Sequence, residues 1–105
     1  MARGVEWATS WPSRMKGLLG RSPSDVLLVL CPCSHVHTWG MRHCIDVAFL
    51  SKNGKVLKVK RGMEPRRRGR HPDAVMVVER FASDEVWFTE GEFVALISQS
   101  KEVPS

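Results

Sequence analysis

The residue types most able to do chemistry lie between positions 31 and 46 of this 105-residue chain. Thiols and imidazoles follow the pattern C-x-C-x-H-x-H-x5-H-C, formed by Cys31, Cys33, His35, His37, His43 and Cys44. These groups are donors that zinc and copper accept in proteins. The spacing differs from the separated ligand pairs of a standard zinc module, and Pro32 interrupts the strand geometry that would align neighbours. We therefore predict no metal or cofactor and keep a metal-dependent activity as an alternative, with candidate ligands Cys31, Cys33, His35 and Cys44.

A thiol nucleophile is the other catalytic alternative. Cys44 directly follows His43, and adjacent residues of a strand point to opposite faces. A cysteine–histidine dyad needs hydrogen-bond contact, so His35 or His37 would have to reach Cys44 across a sheet. Because a free cysteine is more often a small buried hydrophobic residue, we assign no catalytic residue and favour a protein that is not an enzyme.

The interpretation we favour is a site for a small molecule or a protein partner in the segment 37–46. Small-molecule sites are mostly apolar, with a few placed polar groups. Trp39 and Met41 would supply an apolar floor, and arginines from the N-terminal region would face an acidic group. The predicted contact residues are His37, Thr38, Trp39, Met41, Asp46, Arg14 and Arg21.

The same segment has a structural alternative, in which its apolar residues are plain core. Asp46 would then be a buried acid that accepts backbone N–H bonds or pairs with Arg14 or Arg21. One of these partners is required, because an unpaired buried carboxylate is costly.

The positive charge of the chain is concentrated between Lys52 and His71. The formal net charge is +5 and the sequence pI is about 9.6. Candidates for phosphate contacts are Lys58, Lys60, Arg66, Arg67, Arg68 and Arg70. No aromatic residue lies between positions 50 and 80, so a stacking platform for bases is missing there. The segment therefore predicts, as a third alternative, weak and salt-sensitive nucleic-acid binding rather than specific recognition.

The elements that position these residues are short. Hydrophobic patterns predict strands at 26–31, 36–39, 45–50, 55–60, 74–80 and 93–97, and helices at 12–19, capped by Ser10, and 81–88, capped by Ser83. Asn53-Gly54 predicts a type I′ turn between two of the strands, which makes the hairpin at 45–60 the firmest expectation. Residues 62–73 are predicted to form a surface loop. The expected fold is α+β: a compact, β-rich, barrel-like domain with five or six mostly antiparallel strands and two short helices.

Chain length predicts one domain over residues 1–105, with a loose start at 1–8, an ordered core at about 10–98 and a frayed tail at 99–105. No apolar run is long enough for a membrane span, and the N-terminus lacks the apolar stretch of a secretory signal. An odd number of cysteines, three, suits a reducing compartment. We expect a monomeric, basic, cytoplasmic protein with no membrane partner.

Several motifs together resemble one known family, called domain of unknown function 192. They are the segment 14–21 (RMKGLLGR), the central blocks 37–41 (HTWGM), 45–50 (IDVAFL) and 53–56 (NGKV), and Glu79 followed by Gly91-Glu92. The resemblance covers about residues 10–97, and its central blocks are the specific part. It implies a compact β-rich α+β fold and no particular activity. The Cys31-Pro32-Cys33 pair, the arginine-rich loop at 66–70 and the absence of an export signal depart from the family's common pattern.

Overall fold

Strands dominate the architecture of the chain. The structure is a computed structural model that describes residues 4–95. Its elements in chain order are β1 (Val5–Ala8), α1 (Trp11–Lys16), β2 (Leu27–Leu30), β3 (His35–His37), β4 (Ile45–Leu50), β5 (Val56–Met63), β6 (Arg68–Arg70) and β7 (Met76–Phe81). The predicted strand at 93–97 lies partly outside the described residues, and the predicted tail at 99–105 lies wholly outside them. No described helix is long and apolar enough to cross a membrane.

Five strands form one open sheet in the order β1-β2-β7-β4-β5, and β3 pairs with β6 in a separate two-stranded ribbon. Only the β1–β2 pair is parallel; the other pairs are antiparallel. The β-rich fold is confirmed, but the barrel-like closure is wrong. The strands that might have joined the two sheet edges, β3 and β6, pair with each other instead and cover one face of the sheet.

The central strands of the sheet, β2, β7 and β4, are buried on both faces, which explains why their sequences are mostly apolar. Every residue of β4 is buried. On one face Val47 and Phe49 pack with Leu28, with Leu18 from the turn after α1 and with Val36 from the ribbon. On the other face Ala48 packs with residues that include Trp87, from the segment after β7.

The predicted hairpin is confirmed, but its turn type is wrong. Strands β4 and β5 pair in antiparallel register. Within the connecting turn only Gly54 has a positive φ, 87°, whereas a type I′ turn needs two such residues. The N–H of Gly54 donates to the Ser51 carbonyl at 2.9 Å. Glycine is required there because a Cβ would lie 2.4 Å from the Val94 carbonyl oxygen.

The predicted second helix at 81–88 is also wrong, and the described structure contains one short helix instead of two. Phe81 ends β7, and the following segment is irregular. Side-chain hydrogen bonds hold the segment in this irregular path: Arg80 donates to the carbonyls of Glu85 (2.7 Å) and Val86 (3.1 Å), and Arg61 donates to that of Ser83 (2.8 Å), which a helix over 81–88 would itself use. The Ser83 hydroxyl accepts from the Glu85 N–H in a local turn.

Two segments predicted to lack regular structure contain strands. Residues 5–8 form β1 because they can add to the exposed edge of β2. Within the predicted loop at 62–73, β5 continues to Met63, and Arg68–Arg70 form β6. Gly69 lies opposite Val36, and a Cβ there would be 3.1 Å from the Phe49 ring. The Arg-Gly-Arg sequence has weak strand propensity, so cross-strand packing rather than local preference places it in a strand.

Helix α1 begins as predicted and ends early. The Ser10 hydroxyl accepts from the Ser13 N–H, and the Ser13 hydroxyl group accepts from the Ser10 N–H in return. The helix ends at Lys16 because Gly17 has a φ of 53°. Leu18 then enters the core, whereas Met15 remains 54% exposed.

Candidate functional site

A cleft of about 580 Å3 lies between α1, with the turn that follows it, and the segment around β3. We call it the helix cleft. Its walls are mostly apolar and include Met15, Leu18, Leu19, Trp39, Met41 and Ile45. Ligand pockets in proteins commonly have volumes of about 300–1,000 Å3 and are mainly apolar, so its size and composition suit a small molecule.

Large apolar side chains remain exposed at the rim of the helix cleft. Trp11 is 67% exposed and Trp39 is 48% exposed. The guanidinium of Arg14 lies 5.9 Å from the centre of the Trp11 ring and donates to the Thr9 carbonyl. Single exposed apolar residues are common on protein surfaces, but several around one concavity are typical of a binding site.

The carboxyl group of Glu79 lines the helix cleft from β7. Glu79 is only 4% exposed, and its backbone lies between Leu28 of β2 and Val47 of β4. The backbone N–H of Leu18 bonds the carboxyl, and burial raises the pKa of Glu79 to about 7. The space beside it is kept by Gly17, where a Cβ would lie 3.0 Å from Glu79 Oε1.

No lysine, arginine or histidine nitrogen of residues 4–95 lies within 4 Å of the Glu79 carboxylate. This buried acid therefore lacks a cationic partner within the described chain. Sequence reasoning missed Glu79 as a site residue, although it interrupts the apolar run of β7 and belongs to the motifs that resemble the family.

Four of the predicted contact residues line the helix cleft together: Arg14, His37, Trp39 and Met41. The other three lie elsewhere. Thr38 is fully buried; its hydroxyl donates to the Glu64 carbonyl at 2.7 Å and accepts from the Arg67 N–H at 2.8 Å. Arg21 forms a surface ion pair with Glu6 at 2.9 Å, and that bond lowers the Glu6 pKa.

Asp46 takes the structural role that the sequence left open, with a partner that the sequence did not identify. Its Oδ2 accepts from Arg80 Nε at 2.8 Å, and its Oδ1 accepts from the Gly62 N–H at 2.8 Å. Both side chains of the ion pair are almost fully buried. Arg80 lies directly opposite Asp46 in the β4–β7 register, so the pair braces two central strands on the face away from the helix cleft.

The cysteines and histidines of the central segment do not assemble into a metal site. All three cysteines are free, and no group of three His, Cys, Asp or Glu side chains in the described range is placed to hold a metal ion. Cys33 and His35 line the helix cleft, whereas Cys31 and Cys44 do not.

The Cys33 thiol is not activated as a nucleophile. It donates to the His35 carbonyl at 3.1 Å. Burial is the main cause that raises the Cys33 pKa. Because the thiolate is the reactive form, a raised pKa keeps this thiol unreactive at neutral pH.

A second concavity, of about 810 Å3, lies on the outer side of the β3–β6 ribbon. We call it the ribbon cleft. It contains three of the predicted phosphate-contacting residues, Lys58, Arg68 and Arg70, but not Lys60, Arg66 or Arg67. Trp39 also lines it. The basic segment 52–71 contains no aromatic residue, but in the folded chain Trp39 lies beside it.

Comparisons with known proteins identify a family and a fold. A family model described as DUF192, Uncharacterized ACR, matches residues 2–90. Nothing among the curated proteins matches the chain.

Two solved structures have similar folds. One is a protein of unknown function from Novosphingobium aromaticivorans DSM 12444, with a TM-score of 0.66 and 16% identity over 74% of this chain and 62% of that chain. The other is provisionally named a transcription regulator, from Sinorhizobium meliloti 1021, with a TM-score of 0.65 and 16% identity over 74% of this chain and 67% of that chain. This chain thus spans about 62% of the length of the first structure. At this level of identity the likeness concerns the fold alone.

Proposed function

Since the chain belongs to the DUF192 family, whose description names no activity, we propose from its own geometry that it is a non-enzymatic domain that binds a small molecule in the helix cleft. The observation that carries the proposal is the Glu79 carboxyl, buried in the wall of an apolar cleft without a cationic partner in the described chain. A buried carboxylate is costly unless it is protonated or paired. A bound ligand can provide the missing partner.

The ligand that best fits this site has an apolar body and a hydrogen-bond donor, above all an amine. The walls around Met15, Leu19 and Met41 would cover the apolar body. The donor would reach Glu79, the one carboxylate among the described residues that lines the cleft. Hydrogen bonds to a charged group are stronger than neutral ones, so this contact would decide which ligands are retained.

The lining favours binding over catalysis. Nucleophilic catalysis needs a base within hydrogen-bond distance of the nucleophile. The lining thiol, Cys33, instead donates to a backbone carbonyl. Among the described residues Glu79 thus has no activated nucleophile to assist.

Displacement of the neutral dye Nile red tests this proposal. We expect the dye to bind the purified protein at about pH 8 and hexylamine to displace it at least about tenfold more effectively than hexanoate, since about 1.4 kcal/mol corresponds to tenfold in affinity. Glu79→Gln should abolish the preference for the amine. Equal displacement by the amine and the acid would overturn the assignment of Glu79.

A matched pair of variants locates the dye. Met15→Gln alters the rim of the helix cleft, whereas Val86→Gln alters a side chain that is 91% exposed and lies outside it. Dye affinity should fall in the first variant and stay unchanged in the second. Equal effects of the two changes would place the dye elsewhere and contradict the proposed site.

A second part of the proposal concerns the oligomeric state of the chain and its cellular compartment. We propose that residues 1–105 act as a single-domain monomer in the cytoplasm. The three free thiols support a reducing compartment. Light scattering of the purified chain should give the mass of one copy, 11.9 kDa, and a dimer mass would contradict the monomer.

A further inference from the structure

We propose that the ribbon cleft binds single-stranded nucleic acid, with a base against Trp39 and successive backbone phosphates against Arg68, Arg70 and Lys58. The proposal does not rest on the ligand of the helix cleft, although His35, His37 and Trp39 line both clefts. It rests on how the ribbon presents its side chains, on the charge of the cleft and on the exposed ring beside it.

The register of the ribbon places its cations on one face. His35 lies opposite Arg70, and His37 lies opposite Arg68. Directly opposite residues of an antiparallel pair share a face. All four are exposed, while Val36 and Gly69 between them are buried against the sheet. The ribbon therefore presents two arginines and two histidines together on its outer side.

A third cation completes the cleft from β5. Lys58 Nζ lies 3.2 Å from the Arg70 carbonyl, beside the arginine pair. No acidic residue lines the ribbon cleft, and within the described chain no carboxylate lies within 4 Å of Lys58, Arg68 or Arg70. Neighbouring Arg67, in contrast, pairs with Glu64 at 3.3 Å. The three unpaired cations are thus available to a phosphate group.

The aromatic surface distinguishes this cleft from a simple basic patch. Trp39 is 48% exposed, and the Arg68 guanidinium lies 5.5 Å from its ring centre. His37 meets the same ring edge-on at 6.4 Å. Proteins bind single strands by combining a basic groove with aromatic rings on which bases stack. A duplex keeps its bases stacked internally, so the exposed ring favours a single strand.

The test is fluorescence anisotropy of a labelled ten-nucleotide DNA strand of mixed sequence, titrated with the full-length protein at several salt concentrations. The variant Arg68→Gln/Arg70→Gln should bind the strand about tenfold or more weakly. The slope of its log affinity against log salt concentration should decrease by the amount that corresponds to about two phosphate contacts. The control Lys52→Gln/Arg66→Gln removes the same charge outside the cleft and should change affinity less than about threefold. If the control loses as much affinity as the cleft variant, the loss reflects the net charge of the protein rather than the cleft, and the proposal is overturned.

The stacking contact is tested separately. Trp39→Leu should weaken binding about tenfold without changing the salt dependence, because the ring carries no charge. Arg68→Lys/Arg70→Lys retains both charges and should recover most of the affinity, which also shows that the ribbon still folds. Two results would overturn single-stranded nucleic acid as the ligand. One is that a duplex of the same sequence binds as tightly as the single strand. The other is that free AMP competes as strongly as the unlabelled strand at equal nucleotide concentration.

Discussion

Two neighbouring buried residues of β7, Glu79 and Arg80, differ in whether their charged groups have an ionic partner. Arg80 lies opposite Asp46, and the pair is closed at 2.8 Å. Glu79 precedes it and therefore points to the other face, into the helix cleft, where its carboxyl has no described cationic partner. One face of the sheet thus holds a paired charge that stabilises the fold, and the other holds an acid without a cationic partner among the described residues.

Loss of the buried ion pair should be severe. Asp46→Ala leaves the Arg80 guanidinium buried without its counter-ion, which should lower the free energy of unfolding by about 3–5 kcal/mol. Arg21→Gln, which breaks the exposed pair with Glu6, should cost less than about 1 kcal/mol. Urea unfolding of both variants measures the difference. Similar costs for the two would contradict the bracing role of Asp46.

The raised pKa of Glu79 makes stability depend on pH. Between pH 4.5 and about 7 the folded chain retains a proton on Glu79 that the unfolded chain releases. The contribution of Glu79 is therefore complete below pH 4.5 and is lost as the pH rises through about 7, by up to about 3 kcal/mol.

Glu79→Gln removes this titration and serves as the reference. The difference in unfolding free energy between the two proteins, measured by urea titration at several pH values, should change across this interval and stay constant below it. Other titrating groups act in both proteins and cancel. A difference in unfolding free energy that is independent of pH would show that burial does not raise the pKa of Glu79.

At the scale of elements, the sequence predicts segments that carry their own signal. The apolar run of β2, the hairpin β4–β5 and the Ser10 cap of α1 are confirmed because local pattern and tertiary role agree. Strand β6 and the irregular segment after β7 were not predicted. Arg-Gly-Arg becomes a strand through Val36 and Phe49, and side-chain bonds from Arg61 and Arg80 hold the segment after Phe81 in an irregular path.

The hairpin turn should be intolerant of a side chain. Gly54→Ala combines a positive φ of 87° with a Cβ 2.4 Å from the Val94 carbonyl, so we expect a loss of about 2–4 kcal/mol. At Gly62, φ is 63° and nothing lies within 4 Å of a Cβ, so Ala should cost about 1 kcal/mol. Thermal unfolding of the two variants compares them. Equal losses would mean that the contact with Val94 relaxes easily.

At the scale of the molecule, the candidate site was only half predictable. His37, Trp39 and Met41 were predicted from one contiguous motif, and they do line the helix cleft. Glu79 and Trp11 reach the cleft from distant segments, and the role of Asp46 depends on its register with β7. Sequence patterns indicate which residues are buried, but the partner across a sheet depends on strand order, which no local pattern contains.

The N-terminal strand should be needed by the whole fold. Removal of residues 1–8 deletes β1 and leaves the Leu27 and Cys31 N–H groups without their partners in residues 4 and 8, at the newly exposed edge of an apolar strand. We expect a lower melting temperature and aggregation, because unprotected apolar edges pair between chains. Light scattering during heating measures both.

A full-length variant provides the control. Val5→Thr/Glu6→Gln changes two exposed side chains of β1 and leaves its backbone pairing intact. It should melt and scatter light as the wild type does. A truncated chain that matches this control would show that β1 contributes nothing to the sheet.

The strand order also affects the order in which parts of the chain fold. Among the described strands that pair with each other, only β4 and β5 are joined by a short connection, residues 51–55. Strand β7 must find β2 and β4 across long stretches of chain, as the pairs Leu28–Glu79 and Val47–Glu79 show. Closing long loops costs entropy before any contact is gained, so such pairings form late in folding. Glu79 takes its place in the cleft wall only with these last pairings. We therefore expect the hairpin to form first and the helix cleft last, so that a ligand of that cleft would prolong the life of the folded state without hastening its formation.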